Sequence, residues 1–234
     1  SVPGIVFGDD LLKLGIPRYN LHVCAERIGP IRTLSGFDID VRHDLSVVEQ
    51  ADTVIIPSWG APDDIPQKTL IDALVKAKAR GARIVGLCLG TFVLAYAGLL
   101  EKRTVSTHWA WADDFQKAYP DVHLDRDALY SDEGDIITSA GTAAAIDCCL
   151  YILRKDQGAE IANRVARRLV VAPYRHGGQS QYIEMPIPDI SRTNSLSKAM
   201  DWALAHLNET ITVDVLANRA NMSRRSFTRH FRQK

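Results

Sequence analysis

The chain has 234 residues, of which 46% are hydrophobic and 24% are charged, a composition typical of globular domains and not of disordered or fibrous chains. Lys and Arg together number 28, as do Asp and Glu, so the overall charge favours no class of partner. The charge is nevertheless divided unevenly. The last 43 residues, from Arg192 onward, carry 8 basic and 3 acidic residues, which leaves 20 basic and 25 acidic residues before them. An acidic body therefore precedes a basic tail.

The cysteines and the apolar stretches exclude several classes of protein. The four cysteines are Cys24, Cys88, Cys148 and Cys149, and their spacing fits neither a zinc site nor the disulfide framework of a small secreted domain. We expect a reducing cytoplasm, no metal and no cofactor. The longest near-apolar stretch, residues 136–153, is interrupted by polar residues, so we predict neither a membrane span nor a signal peptide.

The first part of the chain alternates between strand and helix patterns. Residues 19–25 alternate like a strand, and residues 53–57 and 83–87 are short apolar runs typical of buried strands. Between the last two, residues 67–80 place leucines and alanines on one helical stripe, and Gly81 is suited to end that helix. This order predicts a parallel βαβ unit.

The same alternation continues to about residue 170. It predicts a doubly wound, flavodoxin-like parallel sheet with helices on both faces. The further predicted elements are a helix at 90–99, a strand at 104–107, a helix at 110–118, a hairpin at 128–138 and helices at 142–155 and 159–170.

The tail has a different pattern from the body. Residues 185–195 contain prolines and polar residues without periodicity, which indicates a linker between a body at 1–184 and a tail at 196–234. Three helices are predicted in the tail, at 196–207, 213–219 and 224–232. The last two form a helix-turn-helix, in which Thr212 and Ser223 cap the helices and Asn221 tolerates a left-handed turn.

The second helix of this pair has one basic face. With Phe227 and Phe231 directed inward, basic and hydroxyl side chains are left outside, a combination that suits phosphates and guanine edges. A solvated arginine face on a small packing helix is the alternative. The candidate DNA-binding residues are Ser223, Arg224, Arg225, Thr228, Arg229 and Arg232.

The tail "ITVDVLANRANMSRRSFTRHFR" resembles the first helix-turn-helix of AraC-type DNA-binding domains. Domains of that family contain two such motifs, and the present sequence matches only the first. The resemblance therefore implies weak, salt-sensitive DNA binding by this chain.

Residues 84–91 resemble a nucleophile elbow, with Cys88 flanked by Gly86 and Gly90 between a strand and a helix. The helix start would favour a thiolate. A buried structural cysteine in a tight turn is the alternative. His108, at the end of the next strand, is a possible base for Cys88 or a satisfied imidazole, and no third catalytic group is identifiable, so we expect no hydrolysis.

Together, the elbow, "THWAWADDF" and "ITSAGTAAAIDCCLYIL" resemble a ThiJ/PfpI domain of the class I glutamine amidotransferase-like superfamily, in the version that precedes AraC-type domains. The resemblance implies a sensor domain that keeps the pocket without the amidotransferase reaction. It also implies a first strand and an acidic residue ahead of the present Ser1.

Ligands of doubly wound sheets bind outside the carboxyl ends of the strands. We expect there a small polar metabolite such as an amino-acid derivative, an amide or a quaternary amine, held by backbone N–H groups and covered by tryptophan. The candidate ligand-binding residues are Ser58, Trp59, Cys88, Leu89, His108, Trp109, Gly141 and Thr142.

The expected function is a homodimeric, cytoplasmic transcription regulator whose body senses a metabolite and whose tail binds DNA. A cysteine-dependent amidase and a redox sensor based on Cys88 are the alternatives. Asp147, in a run of small apolar residues, is expected to cap, to pair or to face the crevice, and the adjacent Cys148 and Cys149 to pack in the core.

Overall fold

The computed structural model describes residues 2–8, 15, 19–33, 36–181, 199–200, 202–209 and 211–232. Contacts divide the chain into a large unit, Ser1–Gln181, and a small unit, Tyr182–Lys234. The predicted linker at 185–195 lies outside the described residues.

The regular elements of the large unit follow one another in a mostly alternating order. In chain order they are α1 (Val2–Phe7), β1 (Gly29–Arg32), β2 (Asp38–Val41), β3 (Thr53–Ile56), α2 (Lys68–Ala79), β4 (Arg83–Leu87), α3 (Gly90–Tyr96), β5 (Thr104–Val105), α4 (Ala112–Ala118), β6 (His123–Leu124), β7 (Tyr130–Asp132), β8 (Ile136–Ser139), α5 (Thr142–Gln157) and α6 (Ala159–Arg168). The described residues of the unit also form two 3-10 helices, Leu45–Gln50 and Trp109–Trp111.

The central sheet has the strand order β3-β4-β8-β7. β3, β4 and β8 are parallel, and β7 is the antiparallel partner of β8. The predicted doubly wound arrangement is confirmed, as is the hairpin, whose turn contains Gly134 at φ +87°. The parallel strands all end at one edge of the sheet, so the loops that follow β3, β4 and β8 lie side by side there.

Side chains alternate between the two faces of the sheet because successive strand residues point in opposite directions. Ile84 and Ile136 belong to a buried cluster with residues of α2, α3 and α4. Val85 and Ile137 belong to a second cluster with residues of α1, α5 and α6. Each such fully buried side chain contributes about 1.5–3 kcal/mol to folding, so both faces of the sheet stabilise the unit.

The strand prediction for residues 19–25 is wrong. This segment makes a single isolated bridge, between Cys24 and His43, and Leu21 and Val23 are 39% and 56% exposed. An alternating pattern shows which face of a segment is apolar, but a strand also needs a neighbour for its backbone groups, and here the neighbouring hairpin β1-β2 pairs with itself.

Three other predicted elements are shorter or divided. The strand at 104–107 is reduced to β5, which pairs with β6 outside the central sheet; the next residue, Ser106, donates its backbone N–H to the Thr138 hydroxyl over 2.9 Å instead. The helix predicted at 90–99 ends at Tyr96. The helix predicted at 110–118 is a 3-10 turn followed by α4.

The described part of the small unit is helical at residues 199–200 and 202–205 and in two further helices, α7 (Val213–Arg219) and α8 (Arg224–Arg232). Ala199, Ala217, Ala220 and Phe227 are its buried core. Phe231 was also predicted to face inward, but it is 48% exposed, because the core between these short helices is filled by Phe227.

The turn between α7 and α8 has the predicted chemistry. The Thr212 hydroxyl accepts the Val215 backbone N–H over 3.3 Å, and the Ser223 hydroxyl accepts that of Ser226 over 3.2 Å, so both helices are capped. Asn221 is left-handed, with φ +52°. The predicted helix-turn-helix is therefore present. No helix in the described part of the chain is long and apolar enough to span a membrane.

Candidate functional site

Cys88 lies at a sharp turn between β4 and α3, in the left-handed region with φ +55°. Both flanking glycines are needed for this turn. A Cβ atom on Gly90 would lie 2.3 Å from the Ile56 carbonyl oxygen, and one on Gly86 would lie 3.0 Å from the Thr91 backbone nitrogen. The geometry is that of the predicted elbow, which raises the Cys88 side chain at the carboxyl edge of the sheet.

The Cys88 thiol is half-buried, and its burial raises the pKa of the thiol above the ordinary value. The Leu89 backbone N–H and the Ser58 side chain lower the pKa of the thiol, but burial outweighs them. The Leu89 N–H at the helix start thus lowers the pKa of the thiol, in the expected direction, but desolvation of the charged form is the larger effect, so the net shift is upward.

His108 is held by contacts other than Cys88. Its Nδ1 accepts the Ala110 backbone N–H over 3.2 Å, and its ring lies against Gly141, where an added Cβ atom would come within 2.1 Å of Cδ2. Among the hydrogen bonds of the described residues there is none between His108 and Cys88. The two residues share one edge of the sheet without forming a nucleophile and base pair.

The link between the elbow and the His108 loop is Thr107, which sequence reasoning did not single out. The buried Thr107 hydroxyl donates to the Cys88 carbonyl oxygen over 3.0 Å. The Cys88 backbone N–H in turn donates to the Ser139 carbonyl oxygen over 2.9 Å. The loops after β4, β5 and β8 are thus joined by backbone groups around Cys88.

The two candidate tryptophans differ in whether the indole N–H already has a hydrogen-bond partner. The Trp59 indole N–H donates to the Asp64 carbonyl oxygen over 2.7 Å, and its ring packs against the core on the α2 side of the sheet. Trp109 is half-buried, with its ring centroid 5.7 Å from that of His108. Its indole N–H has no hydrogen bond among those that the described residues make, so Trp109 is the tryptophan with a donor available.

The remaining candidates lie at the start of α5 and beside the sulfur. Gly141 is the extended residue before α5, with no side-chain cap, and Thr142 is exposed. Ser58 is exposed and Leu89 is buried. The structure therefore brings Ser58, Leu89 and Cys88 together, and His108, Trp109 and Gly141 together, at the same edge of the sheet.

Asp147, whose role the sequence left open, forms a pair with Arg175. The Asp147 carboxylate is nearly buried, and it accepts hydrogen bonds from Nε and Nη2 of the Arg175 guanidinium, the Nε bonds being 3.0 Å long. This carboxylate raises the pKa of Arg175. The pair borders a cavity of about 320 Å³ whose other lining residues are Ala143, Ile146, Val171 and Ala172. Cys148 and Cys149 are fully buried, as expected, and burial raises the pKa of Cys149 to about 12.

The helix-turn-helix presents the predicted basic side chains on α8. Arg224, Arg225 and Arg229 are exposed, and Ser223 is exposed at the cap. Nη1 of Arg224 donates to Asp214 of α7 over 3.3 Å, which neutralises part of its charge. Thr228 is half-buried, and its hydroxyl donates to the Arg224 carbonyl oxygen over 2.8 Å. Arg232 is the last helical residue of α8.

A doubly wound sheet with a cysteine at a strained strand-to-helix turn defines a class of flavodoxin-like domains with a nucleophile elbow. The chain belongs within this class to the DJ-1/PfpI family, whose sequence model matches residues 15–155.

Several curated relatives of the chain are named as regulators. It is 32% identical to the HTH-type transcriptional regulator ArgR of Pseudomonas aeruginosa over 187 residues, which are 80% of this chain and 53% of that protein. It is 27% identical to the HTH-type transcriptional regulator CdhR of the same organism over 214 residues, 92% of this chain and 63% of that protein. The chain thus spans about half to two thirds of the length of these relatives.

The chain is also similar to a protein named as an enzyme and to a regulator of known structure. Isonitrile hydratase of Pseudomonas putida is 25% identical over 159 residues, 68% of each chain, so the family also contains a protein named as an enzyme. The crystal structure of an AraC family transcriptional regulator from Pseudomonas putida superposes with a TM-score of 0.64 at 18% identity, over 72% of this chain and 90% of that one. This last likeness supports the fold.

Proposed function

We propose that the protein is a transcription regulator in which the large unit senses a small molecule and the helix-turn-helix of the small unit binds DNA. The observation that carries the proposal is the capped pair α7-α8 with its exposed arginines, on a chain whose relatives are named HTH-type transcriptional regulators. We include the cytoplasm and a homodimer in this proposal, because such a regulator must reach DNA and most closed oligomers are symmetric dimers.

The electrostatics of α8 support DNA as the partner. Each arginine that neutralises a phosphate releases a condensed counterion, so binding weakens steeply as salt is added. Arg225 and Arg229 are exposed on the second helix of the pair, the helix that enters the major groove in helix-turn-helix proteins. The left-handed Asn221 turns the chain sharply between α7 and α8, as the corner of a helix-turn-helix requires.

The carboxyl edge of the sheet supports a sensing role for the large unit. Cys88, His108 and Trp109 lie there with the start of α5, a place where a carboxylate or carbonyl oxygen is stabilised by helix N–H groups and an apolar or cationic part by an aromatic face. We propose a small polar metabolite as ligand, such as an amino-acid derivative, an amide or a quaternary amine, bound by the eight candidate residues named above. A few kcal/mol of coupling between the two units would be enough for regulation.

The DNA part is tested by fluorescence anisotropy with a labelled 20-base-pair duplex of arbitrary sequence at several salt concentrations. We expect weak binding with a negative slope of log affinity against log salt, and a slope shallower by about 2 after removal of both Arg225 and Arg229 by alanine substitution. Arg42→Ala, in an exposed arginine of the large unit, is the matched control. An unchanged slope in the double variant would exclude α8 as the DNA-binding surface.

The sensing part is tested by thermal shift with a panel of amino acids, amides and quaternary amines. A ligand of the proposed site raises Tm in the wild type, and the shift is lost in Trp109→Ala and Cys88→Ala. If both variants keep every shift, the ligand binds elsewhere.

A cysteine-dependent amidase or related hydrolase is the second candidate, and the elbow geometry at Cys88 together with the relative named isonitrile hydratase favours it. The pKa of the thiol, which burial raises, supports a non-catalytic site, because the thiolate is the nucleophile in such reactions. Ammonia release from glutamine and simple amides, with Cys88→Ser as control, decides between them. Thiol-dependent turnover would replace the sensor proposal.

A further inference from the structure

Gln181 is the last residue of the large unit, and its side chain is turned back into that unit. It is 8% exposed. The two N–H groups of its Nε2 are shared among three carbonyl oxygens, those of Thr107 and Ala128 at 3.1 Å and that of Arg126 at 3.0 Å. Its Oε1 accepts the Trp109 backbone N–H over 3.1 Å. All polar atoms of the Gln181 amide are therefore in use.

Two of these four contacts enclose His108. The Thr107 carbonyl and the Trp109 N–H are the backbone groups on either side of this residue, and a single side-chain amide bonds to both. On the other side of the same loop, the Thr107 hydroxyl holds the Cys88 carbonyl oxygen. The position of His108 and Trp109 at the sheet edge is thus fixed between Cys88 and Gln181.

The backbone of Gln181 is attached just as closely. Its N–H donates to the Asp127 carbonyl oxygen over 2.7 Å, and the preceding Ser180 forms an antiparallel bridge with Ala128. The next residue, Tyr182, begins the small unit. The point where the chain leaves the large unit is therefore tied by hydrogen bonds to the loop that carries His108 and Trp109.

We propose that Gln181 is a positioning residue that couples the sheet edge carrying Cys88 and His108 to the helix-turn-helix, an inference that rests on the proposed function. A molecule that binds at this edge and displaces residues 107–109 breaks or shifts the hydrogen bonds of the Gln181 amide. Because the chain continues from Gln181 into the small unit, we expect this displacement to change hydrogen exchange in that unit as well. The intact and the broken hydrogen bonds of the Gln181 amide are the two states that this proposal requires.

The test uses a covalent probe, since carboxamidomethylation of Cys88 by iodoacetamide adds a group at this edge of the sheet without an identified ligand. All proteins carry Cys24→Ser, and peptide mapping confirms a single adduct at Cys88. Hydrogen exchange is followed by mass spectrometry in residues 104–111 and 199–232. The variants are Gln181→Met, which keeps the volume but loses the amide, and Gln179→Met, in an exposed glutamine two positions earlier, as the matched control.

In the wild type and in Gln179→Met, the adduct is expected to change exchange rates in both segments at least twofold. In Gln181→Met, the change in residues 104–111 remains and the change in 199–232 falls below a third of its wild-type size. A merely structural role would alter stability without separating the two responses. Gln181→Asn, whose shorter amide cannot span the loop, is a milder variant with the same expected separation should Gln181→Met not fold.

Two results would overturn the proposal: an adduct that leaves residues 199–232 unchanged in the wild type, or a small-unit response of full size in the Gln181 variants. Neither result depends on DNA. Failure of the proposed function is detected separately, as the absence of salt-dependent DNA binding in the anisotropy experiment.

Discussion

Replacement of glycine by alanine should have different effects at two positions near the elbow, because the added methyl group would contact different atoms at each. At Gly90 it would meet the Ile56 carbonyl oxygen at 2.3 Å, a backbone atom fixed in β3. At Gly141 it would meet Cδ2 of His108 at 2.1 Å, an atom of a side chain that can rotate. At the exposed Gly178 the nearest atom is 3.5 Å away, which is ordinary contact.

These obstacles determine the expected changes in the free energy of unfolding. Overpacking costs about 1–3 kcal/mol, and Gly90→Ala should lie at the upper end because β3 or α3 must move. Alanine in a helix offsets up to about 1 kcal/mol of this cost. The net destabilisation is about 2 kcal/mol, which lowers Tm by roughly 4–8 °C for a protein of this size. Gly178→Ala should change stability by less than about 0.5 kcal/mol.

Gly141→Ala should cost less than about 1 kcal/mol and instead displace His108, whose ring neighbours Trp109. The measurements are urea unfolding of the three variants, followed by circular dichroism, and the tryptophan emission of the folded proteins. We expect a changed emission spectrum in Gly141→Ala alone. Equal stabilities of Gly90→Ala and Gly178→Ala, or an equal loss in Gly90→Ala and Gly141→Ala, would refute this interpretation of the close contacts.

Three further predictions follow from individual residues. Since burial raises the pKa of the Cys88 thiol, its alkylation rate should still be rising at pH 9. The rate is measured by peptide mass spectrometry, and a plateau below pH 8 would show that the pKa is not raised. Arg175→Met leaves the buried Asp147 carboxylate unpaired and should lower the free energy of unfolding by about 3–5 kcal/mol. The double variant with Asp147→Asn should recover most of this loss in urea unfolding. An equal loss in both variants would show that the unpaired carboxylate is not the cause. Asn221→Val should destabilise the small unit by about 1–2 kcal/mol because φ is +52°, whereas Asn221→Gly should not. Hydrogen exchange in residues 211–232 is the measurement, and equal stabilities would argue against the left-handed turn.

The features that the sequence predicts well are those in which a few neighbouring residues determine the geometry. Gly81 ends α2 in a left-handed conformation, Asn221 makes the turn before α8, and Ser223 caps that helix, as expected. The elbow belongs to the same group, because Gly86 and Gly90 are required by contacts within a few residues and with one adjacent strand. Local backbone chemistry is sufficient for such features.

The features that the sequence leaves open depend on residues far apart in the chain. Asp147 meets Arg175 across 28 positions, and Gln181 meets Thr107 across 74; no spacing rule relates such pairs. The segment 19–25 has the alternation of a strand, but its pairing depends on what lies beside it. The pKa of Cys88 likewise depends on packing around the sulfur, which the helix start alone does not determine.

The backbone conformation of Cys88 has a consequence for protein engineering. Glycine adopts φ +55° without a penalty and asparagine tolerates it, whereas cysteine and most other residues cost about 1–2 kcal/mol there. Cys88→Gly should therefore relieve conformational tension at the elbow while deleting the sulfur. Libraries screened for heat resistance alone would be expected to enrich this replacement, and libraries screened for response to an inducer to eliminate it. Comparing the two outcomes would show whether the thiol is kept for architecture or for signalling.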